Sequence, residues 1–230
     1  TTIDFREKAP LAASSTMFQD ENGIFVKGSN RKGLKSVGVP GTVAGLYLAH
    51  QKYGSLPWAD LVQPSIDLAA KGFPMTQTLY NHALKTEEWP QSMDIMMDYF
   101  RNEDGALVQP GELWVQPSLA NTLKLIRDEG HDGFYKGEVA EEIARYMKAN
   151  GGIITTEDLE KYRAIERGPI KGTYKGYDIY SMPPPSSGGV ALIEMMNLME
   201  LADLDAIEFN STEHVHLIAE TMRRAFADRA

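Results

Sequence analysis

The hydrophobic period of this chain is interrupted once, and that interruption limits what it can fold into. From about residue 41 to about residue 161 the apolar positions recur at helical spacing. Over residues 169–182 the chain turns to Tyr- and Ile-rich segments around Lys175-Gly176, the pattern of a hairpin, although Lys-Gly is not a favoured turn pair. Helical spacing then returns to the end. Val43, Leu46, Tyr47 and His50 follow i, i+3, i+4, i+7, and Gly54 is placed to take the left-handed position that ends this first helix. Leu56-Pro57 opens a second helix, which Pro64 should kink and Gly72 should stop. Further helices are expected over 76–86 and 91–100. Leu119, Leu123 and Ile126 then share one helical face ending at Gly130, and Val139, Ile143, Tyr146 and Met147 share another ending at Gly151. Thr155-Thr156-Glu157-Asp158 reads as a capping box. Two long helices are expected to close the chain, with Leu192, Met195, Met196 and Met199 on one face of the first and Val215, Ile218, Met222 and Phe226 on one face of the second, which Ser211 caps. Residues 1–40, rich in turn formers such as Asn22-Gly23 and Gly28-Ser29-Asn30, read as loop with short extended pieces. The chain is therefore expected to be helix-rich α/β, with a mainly helical region at 41–151, a hairpin at 169–182 and two helices across 187–229.

Charge and composition exclude several function classes. With 23 Lys+Arg against 32 Asp+Glu over 230 residues the net charge is −9, which argues against non-specific binding of nucleic acid or an anionic membrane by the chain as a whole. No apolar run approaches the roughly 20 residues of a spanning helix, and Thr1-Thr2-Ile3-Asp4 carries no export signal. The absence of cysteine removes disulfides, thiolate metal sites and cysteine nucleophiles.

Chemistry-bearing motifs are sparse. His214 and His216 stand two apart on an expected helix, pointing about 200° apart, so they read as surface or packing residues rather than a metal pair. His50, His82 and His131 have no second ligand at a recognisable spacing, and neither Gly-rich nucleotide loop occurs. Asn210-Ser211-Thr212 matches a glycosylation sequon, but its place at a helix start favours capping. Pro183-Pro184-Pro185-Ser186-Ser187-Gly188-Gly189 makes a stiff corner into a helix, and Ser186 and Ser187 lack a partnered base. Arg6, between Asp4 and Glu7, reads by itself as a member of an exposed ion pair worth at most about 1 kcal/mol.

Seven blocks in order change the reading of Arg6. They are Asp4-Phe5-Arg6-Glu7-x-Ala9-Pro10; Gly38-Val39-Pro40-Gly41-Thr42-Val43-Ala44-Gly45; Lys52-Tyr53-Gly54 with Val62-Gln63-Pro64; Phe134-Tyr135-Lys136-Gly137; Asn150-Gly151-Gly152-x-Ile154-Thr155; Tyr180 to Gly189; and Phe226-Ala227-Asp228-Arg229. Together they resemble the large-subunit portion of the gamma-glutamyltransferase (glutathione hydrolase) family. The resemblance implies part of a four-layer αββα N-terminal-nucleophile hydrolase sandwich, made as a self-cleaving proenzyme and working without a cofactor. It implies a small catalytic subunit as partner, whose N-terminal Thr attacks the gamma-glutamyl amide of a donor such as glutathione, using its own α-amine as base. The resulting acyl-enzyme passes to water, an amino acid or a peptide. Arg6 matches the family arginine that binds the donor α-carboxylate, and Ser186, Ser187, Gly188 and Gly189 match a loop beside the cleft. A related acylase, acting on glutaryl-cephalosporins or poly-gamma-glutamate, and a non-catalytic scaffold are the alternatives. The resemblance implies a periplasmic or extracellular place. The family's catalytic subunit begins Thr-Thr-His-x-Ser, whereas Thr1-Thr2 is followed here by Ile3-Asp4-Phe5-Arg6, so Thr1 is assigned no catalytic role and the nucleophile is expected outside this chain.

Overall fold

The computed structural model describes residues 1–87, 98–102 and 104–229. In chain order the elements are β1 (Thr2–Asp4), α1 (Thr42–Tyr53), α2 (Trp58–Lys71), β2 (Phe73–Pro74), α3 (Gln77–Glu87) and β3 (Leu113–Trp114). They continue with α4 (Pro117–Glu129), α5 (Asp132–Tyr135), α6 (Gly137–Ala149), α7 (Thr156–Lys161), β4 (Ile165–Arg167), β5 (Ile170–Tyr174), β6 (Tyr177–Ser181), α8 (Gly188–Met199) and α9 (Thr212–Arg229). Helix exceeds strand, and the described strands form antiparallel pairs only: β1 with β4, β2 with β3, β5 with β6. Apart from its last three positions, the helix expected over 91–100 lies outside the described residues. The chain divides into two compact units, Phe5–Ala164 and Thr1–Asp4 with Ile165–Ala230.

The first unit is built on one apolar cluster, in which Val39, Ala44, Tyr135, Ala140, Met147, Ile154, Leu159 and Tyr162 are all buried. Burying a large side chain of this kind contributes roughly 1.5–3 kcal/mol, so the cluster ties the loop before α1 to α5, α6 and α7. Beside it α2 packs on α4, burying Val62, Ile66 and Ala69 against Ala120 and Ile126. Trp58 Nε1 donates to the Ile126 carbonyl at 2.8 Å, and Arg127 donates to Gln63 at 2.8 Å, so the Val62-Gln63-Pro64 block forms a packing joint. Pro64 lies inside α2, which continues to Lys71; Gly72 then ends it at φ 75°. Gly54 departs from expectation. Its φ is −68°, and glycine is needed instead because a Cβ would sit 2.4 Å from the His50 ring.

Asp158 shows how a local signal acquires a distant role. Its carboxylate accepts from the Thr155 N–H and hydroxyl, both at 2.7 Å, while its own N–H donates to Thr155 Oγ1, completing the capping box. The second carboxylate oxygen accepts the Leu11 N–H at 2.6 Å, 147 positions away. Burial alone would raise the Asp158 pKa, but the Leu11 and Thr155 hydrogen bonds outweigh it and hold the group below its ordinary value. A depressed folded-state pKa gives stability that is complete above the unfolded value of about 3.9 and is lost as pH falls through the folded value. Asp158→Asn is therefore expected to cost about 1–3 kcal/mol near neutral pH. Urea titrations should show that gap narrowing steadily as pH drops from about 5 toward about 2.

In the second unit β5 and β6 form the hairpin, with Ile170 opposite Ser181 and Tyr174 opposite Tyr177. Lys175 and Gly176 both have positive φ, 46° and 81°, as a two-residue type I′ turn requires. Glu200 and Asp205 hold the unfavoured Lys175 there: the Glu200 carboxylate accepts its backbone N–H and Asp205 pairs with its Nζ at 3.2 Å. The helices α8 and α9 pack on each other, and the expected faces are partly buried: Met195, Met196 and Met199 of α8 and Ile218 of α9 are half-buried. Leu192 is exposed, and Ile193 lies over Gly172 of β5 instead. In α9 the buried positions are Thr221 and Ala225, while Val215, Met222 and Phe226 are exposed at 55%, 41% and 48%. Ser211 caps α9 as expected, accepting the His214 N–H at 3.2 Å.

Candidate substrate-binding site

Arg6 sits on an exposed stretch whose backbone is fastened from below. Lys8 and Val39 exchange both backbone hydrogen bonds, at 3.2 and 2.7 Å, pairing the arginine block with the Gly38–Gly45 block in one short ladder. The Tyr162 hydroxyl donates to the Arg6 carbonyl at 2.7 Å. Tyr162 is itself buried, its ring stacked on Tyr135 at 5.5 Å with 8° between planes, and Lys8 Nζ lies 5.1 Å over the same ring while donating to the Arg163 carbonyl at 3.0 Å. Tyr135 fixes the other strand of this clasp: its hydroxyl donates to the Pro40 carbonyl at 2.8 Å and accepts the Ala44 N–H at 3.3 Å. Burial pushes the Tyr135 pKa up to about 12, so it remains a neutral donor.

The glycines of the second block make this approach possible. A Cβ on Gly41 would lie 1.9 Å from the Tyr162 hydroxyl oxygen and 2.2 Å from the Phe5 carbonyl oxygen, and one on Gly45 would lie 2.2 Å from the Phe5 ring. Phe5-Arg6 thus rests on a floor without side chains, with Tyr162 reaching up through it. The result is an exposed arginine whose backbone is held by the Tyr162 hydroxyl, a support suited to a planar two-pronged contact with a carboxylate. Asp4, just before it, is buried and accepts from Arg167 Nε at 2.8 Å.

The corner at 183–189 belongs to the second unit. Ser186 N–H donates to the Pro183 carbonyl at 3.2 Å, Gly188 opens α8, and Gly189 is buried where a Cβ would lie 2.4 Å from the Met182 carbonyl oxygen. Ser187 precedes α8 without a side-chain capping bond, and Ser186 and Ser187 are half-buried. Among the described residues no group of three His, Cys, Asp or Glu side chains could hold a metal ion. His214 Nδ1 accepts the Asn210 N–H at 3.2 Å, and His131 stacks on Tyr135.

Sequence reasoning missed Tyr162. Its signal was slight: a tyrosine directly after the capping-box helix, whose hydroxyl must find a partner if the ring is buried.

The gamma-glutamyltranspeptidase family model matches residues 1–230. The chain belongs to the gamma-glutamyltranspeptidase family. The glutathione hydrolase proenzyme of Pseudomonas sp. (strain A14) is 44% identical over 236 residues, covering 100% of this chain and 40% of the relative. The acylase ACY 1 proenzyme of Pseudomonas sp. (strain SE83) is 40% identical, covering 99% of this chain and 42% of its own length. The crystal structure of Helicobacter pylori gamma-glutamyltranspeptidase superposes with a TM-score of 0.92 at 44% identity, over 99% of this chain and 65% of that one. The chain therefore has the N-terminal-nucleophile hydrolase fold of this family, and it spans about 40% of the length of the curated relatives it matches.

Proposed function

We propose that this chain is the large-subunit part of an enzyme that cleaves gamma-glutamyl amides such as glutathione and transfers the gamma-glutamyl group to water, an amino acid or a peptide. The family match over residues 1–230 carries this reading. In it, Arg6 binds the donor α-carboxylate, Tyr162 and Gly41 hold its backbone, and Ser186, Ser187, Gly188 and Gly189 border the cleft. The nucleophilic Thr, its α-amine base and the oxyanion hole come from a small subunit cut from the same proenzyme. The proposed place of work is the periplasm or the cell exterior; no described helix is long and apolar enough to cross a membrane.

Arg6→Lys in the complete enzyme tests the site. Losing one prong of a charge-assisted fork costs about 1.5–3 kcal/mol, so KM for a gamma-glutamyl anilide should rise about one to two decades while the melting temperature stays put. An unchanged KM would remove Arg6 from the donor site.

The acylase relative supports a second reading, that of an acylase, for which the family resemblance points to glutaryl amides. A glutaryl group keeps the carboxylate that Arg6 would hold and lacks only the α-amine, so Arg6 serves either substrate. Comparing kcat/KM for gamma-glutamyl and glutaryl anilides decides between them, and a preference for the glutaryl compound would replace the first reading.

A further inference from the structure

The segment between the Arg6 clasp and α1 has a surface unlike the rest of this acidic chain. Residues 18–26 form a small hairpin: the Asp20 carboxylate accepts the N–H groups of Asn22 and Ile24, both at 2.9 Å, Gly23 turns at φ 77°, and Val26 N–H donates to the Phe18 carbonyl at 2.9 Å. Its returning arm presents Ile24, Phe25 and Val26 in succession, exposed at 64%, 52% and 47%. Four cations follow, Lys27, Arg31, Lys32 and Lys35, all exposed. No Asp or Glu occurs from residue 22 to residue 59, although the chain as a whole carries −9.

Elsewhere in the chain cations are commonly neutralised by neighbours, as in Lys71–Asp67, Lys136–Asp132, Lys161–Glu157 and Arg223–Glu220. Among the described residues no ion pair involves Lys27, Arg31, Lys32 or Lys35. The apolar and cationic parts also meet in space: an open cavity of about 260 Å³ is lined by Phe18 and Val26 together with Lys32 and Lys35.

We propose that the 18–26 hairpin and the cations Lys27, Arg31, Lys32 and Lys35 form a docking surface for an anionic phospholipid bilayer. The pairing of the two chemistries selects this partner. A bilayer interface offers hydrocarbon for Ile24, Phe25 and Val26 and headgroup phosphates for the cations, whereas a soluble polyanion would satisfy only the cations and leave three large apolar residues in water. Glu21, at the hairpin turn, is the nearest acidic group in sequence outside the Asp20 turn contacts. The net negative charge does not prevent docking, because charges more than a Debye length of about 8 Å away are largely screened at physiological salt.

The test uses the complete processed protein and vesicles of phosphatidylglycerol with phosphatidylcholine, against vesicles of phosphatidylcholine alone. Co-sedimentation with the anionic vesicles only, weakening as salt is raised, is expected. Each cation near such a surface is worth roughly five-fold in partitioning, so Lys32→Glu with Lys35→Glu should lower it by about twenty-fold or more. Phe25→Ser should lower it several-fold without changing the salt slope, and hydrolysis of a gamma-glutamyl anilide, assayed in parallel, should match the wild type and so report intact folding. Failure of the wild-type protein to bind anionic vesicles overturns the proposal. So does binding indifferent to both variants, which places contact elsewhere, or binding sensitive to charge but not to Phe25→Ser with equal affinity for a soluble polyphosphate, which assigns the cations to a polyanion. A charge-reversed variant that has lost hydrolysis is replaced by Lys32→Gln with Lys35→Gln, for which unchanged partitioning counts against the proposal.

Discussion

Gly41→Ala is expected to destabilise the protein by about 3 kcal/mol, the upper end of what overpacking usually costs. The added methyl would overlap the Tyr162 hydroxyl oxygen at 1.9 Å and the Phe5 carbonyl oxygen at 2.2 Å, and neither group is the free end of a flexible chain. Tyr162 is clamped by its stack on Tyr135, and the Phe5 carbonyl belongs to a backbone tied through Lys8 to Val39. Something must move, and every available movement breaks a hydrogen bond of the clasp. Tyr162→Phe is the useful comparison because it removes the bond to the Arg6 carbonyl without adding volume, and should cost only about 1–1.5 kcal/mol. Denaturant midpoints of both variants check the order. If Gly41→Ala proves as mild as Tyr162→Phe, the close approach of the two blocks is not what holds Arg6. In the assembled enzyme both variants should also raise KM for the donor more than they lower kcat, since they loosen the platform of the proposed donor-binding arginine and touch no reacting atom of that proposal.

Residues 1–230 expressed alone are expected to release no chromogenic amine from a gamma-glutamyl anilide above a heat-killed control, a complete loss against the assembled enzyme. In the proposed mechanism each covalent step needs a hydroxyl beside a free α-amine and an oxyanion hole, and Arg6 supplies neither. Thr1 is not expected to substitute, because Ile3-Asp4-Phe5-Arg6 follows Thr1-Thr2 in place of the family's His-x-Ser, and the Thr1 hydroxyl lies against the β1–β4 pair, 3.4 Å from the Arg167 carbonyl oxygen. The isolated chain should also associate at micromolar concentration. Val215, Met222 and Phe226 on α9 and Leu192 on α8 are exposed, and water-exposed apolar residues of this size favour contact with one another. Light scattering with and without the remaining segments measures this. Turnover by residues 1–230 alone would place the nucleophile within this chain and make Thr1 the first residue to change.

The course of the chain was legible where the cause was local. Gly72 and Gly130 stop helices through their own positive φ, Thr155 and Asp158 form a box three residues apart, and Ser211 caps a helix that begins beside it. Nearest-neighbour geometry is written in the sequence, and so are the ordered blocks that resemble the family. The buried faces of α8 and α9 were only partly legible, with Met195, Met196, Met199 and Ile218 half-buried as their spacing suggested. Apolar side chains occur around most of α8, so periodicity has no direction to choose there, and in α9 the buried positions are Thr221 and Ala225, one polar and one small, which hydrophobic periodicity does not single out. The clasp under Arg6 was hidden for the same kind of reason. Tyr162 and Arg6 are 156 positions apart, Leu11 and Asp158 147 apart, and no local preference records that a hydroxyl will rise through the gap at Gly41. By itself the sequence determined most of the helices, the Thr155 and Ser211 caps, the hairpin and the block in which Arg6 stands. Only the tertiary structure decided which side chains fill the space beneath that arginine, because packing is settled between surfaces that meet after the elements have formed.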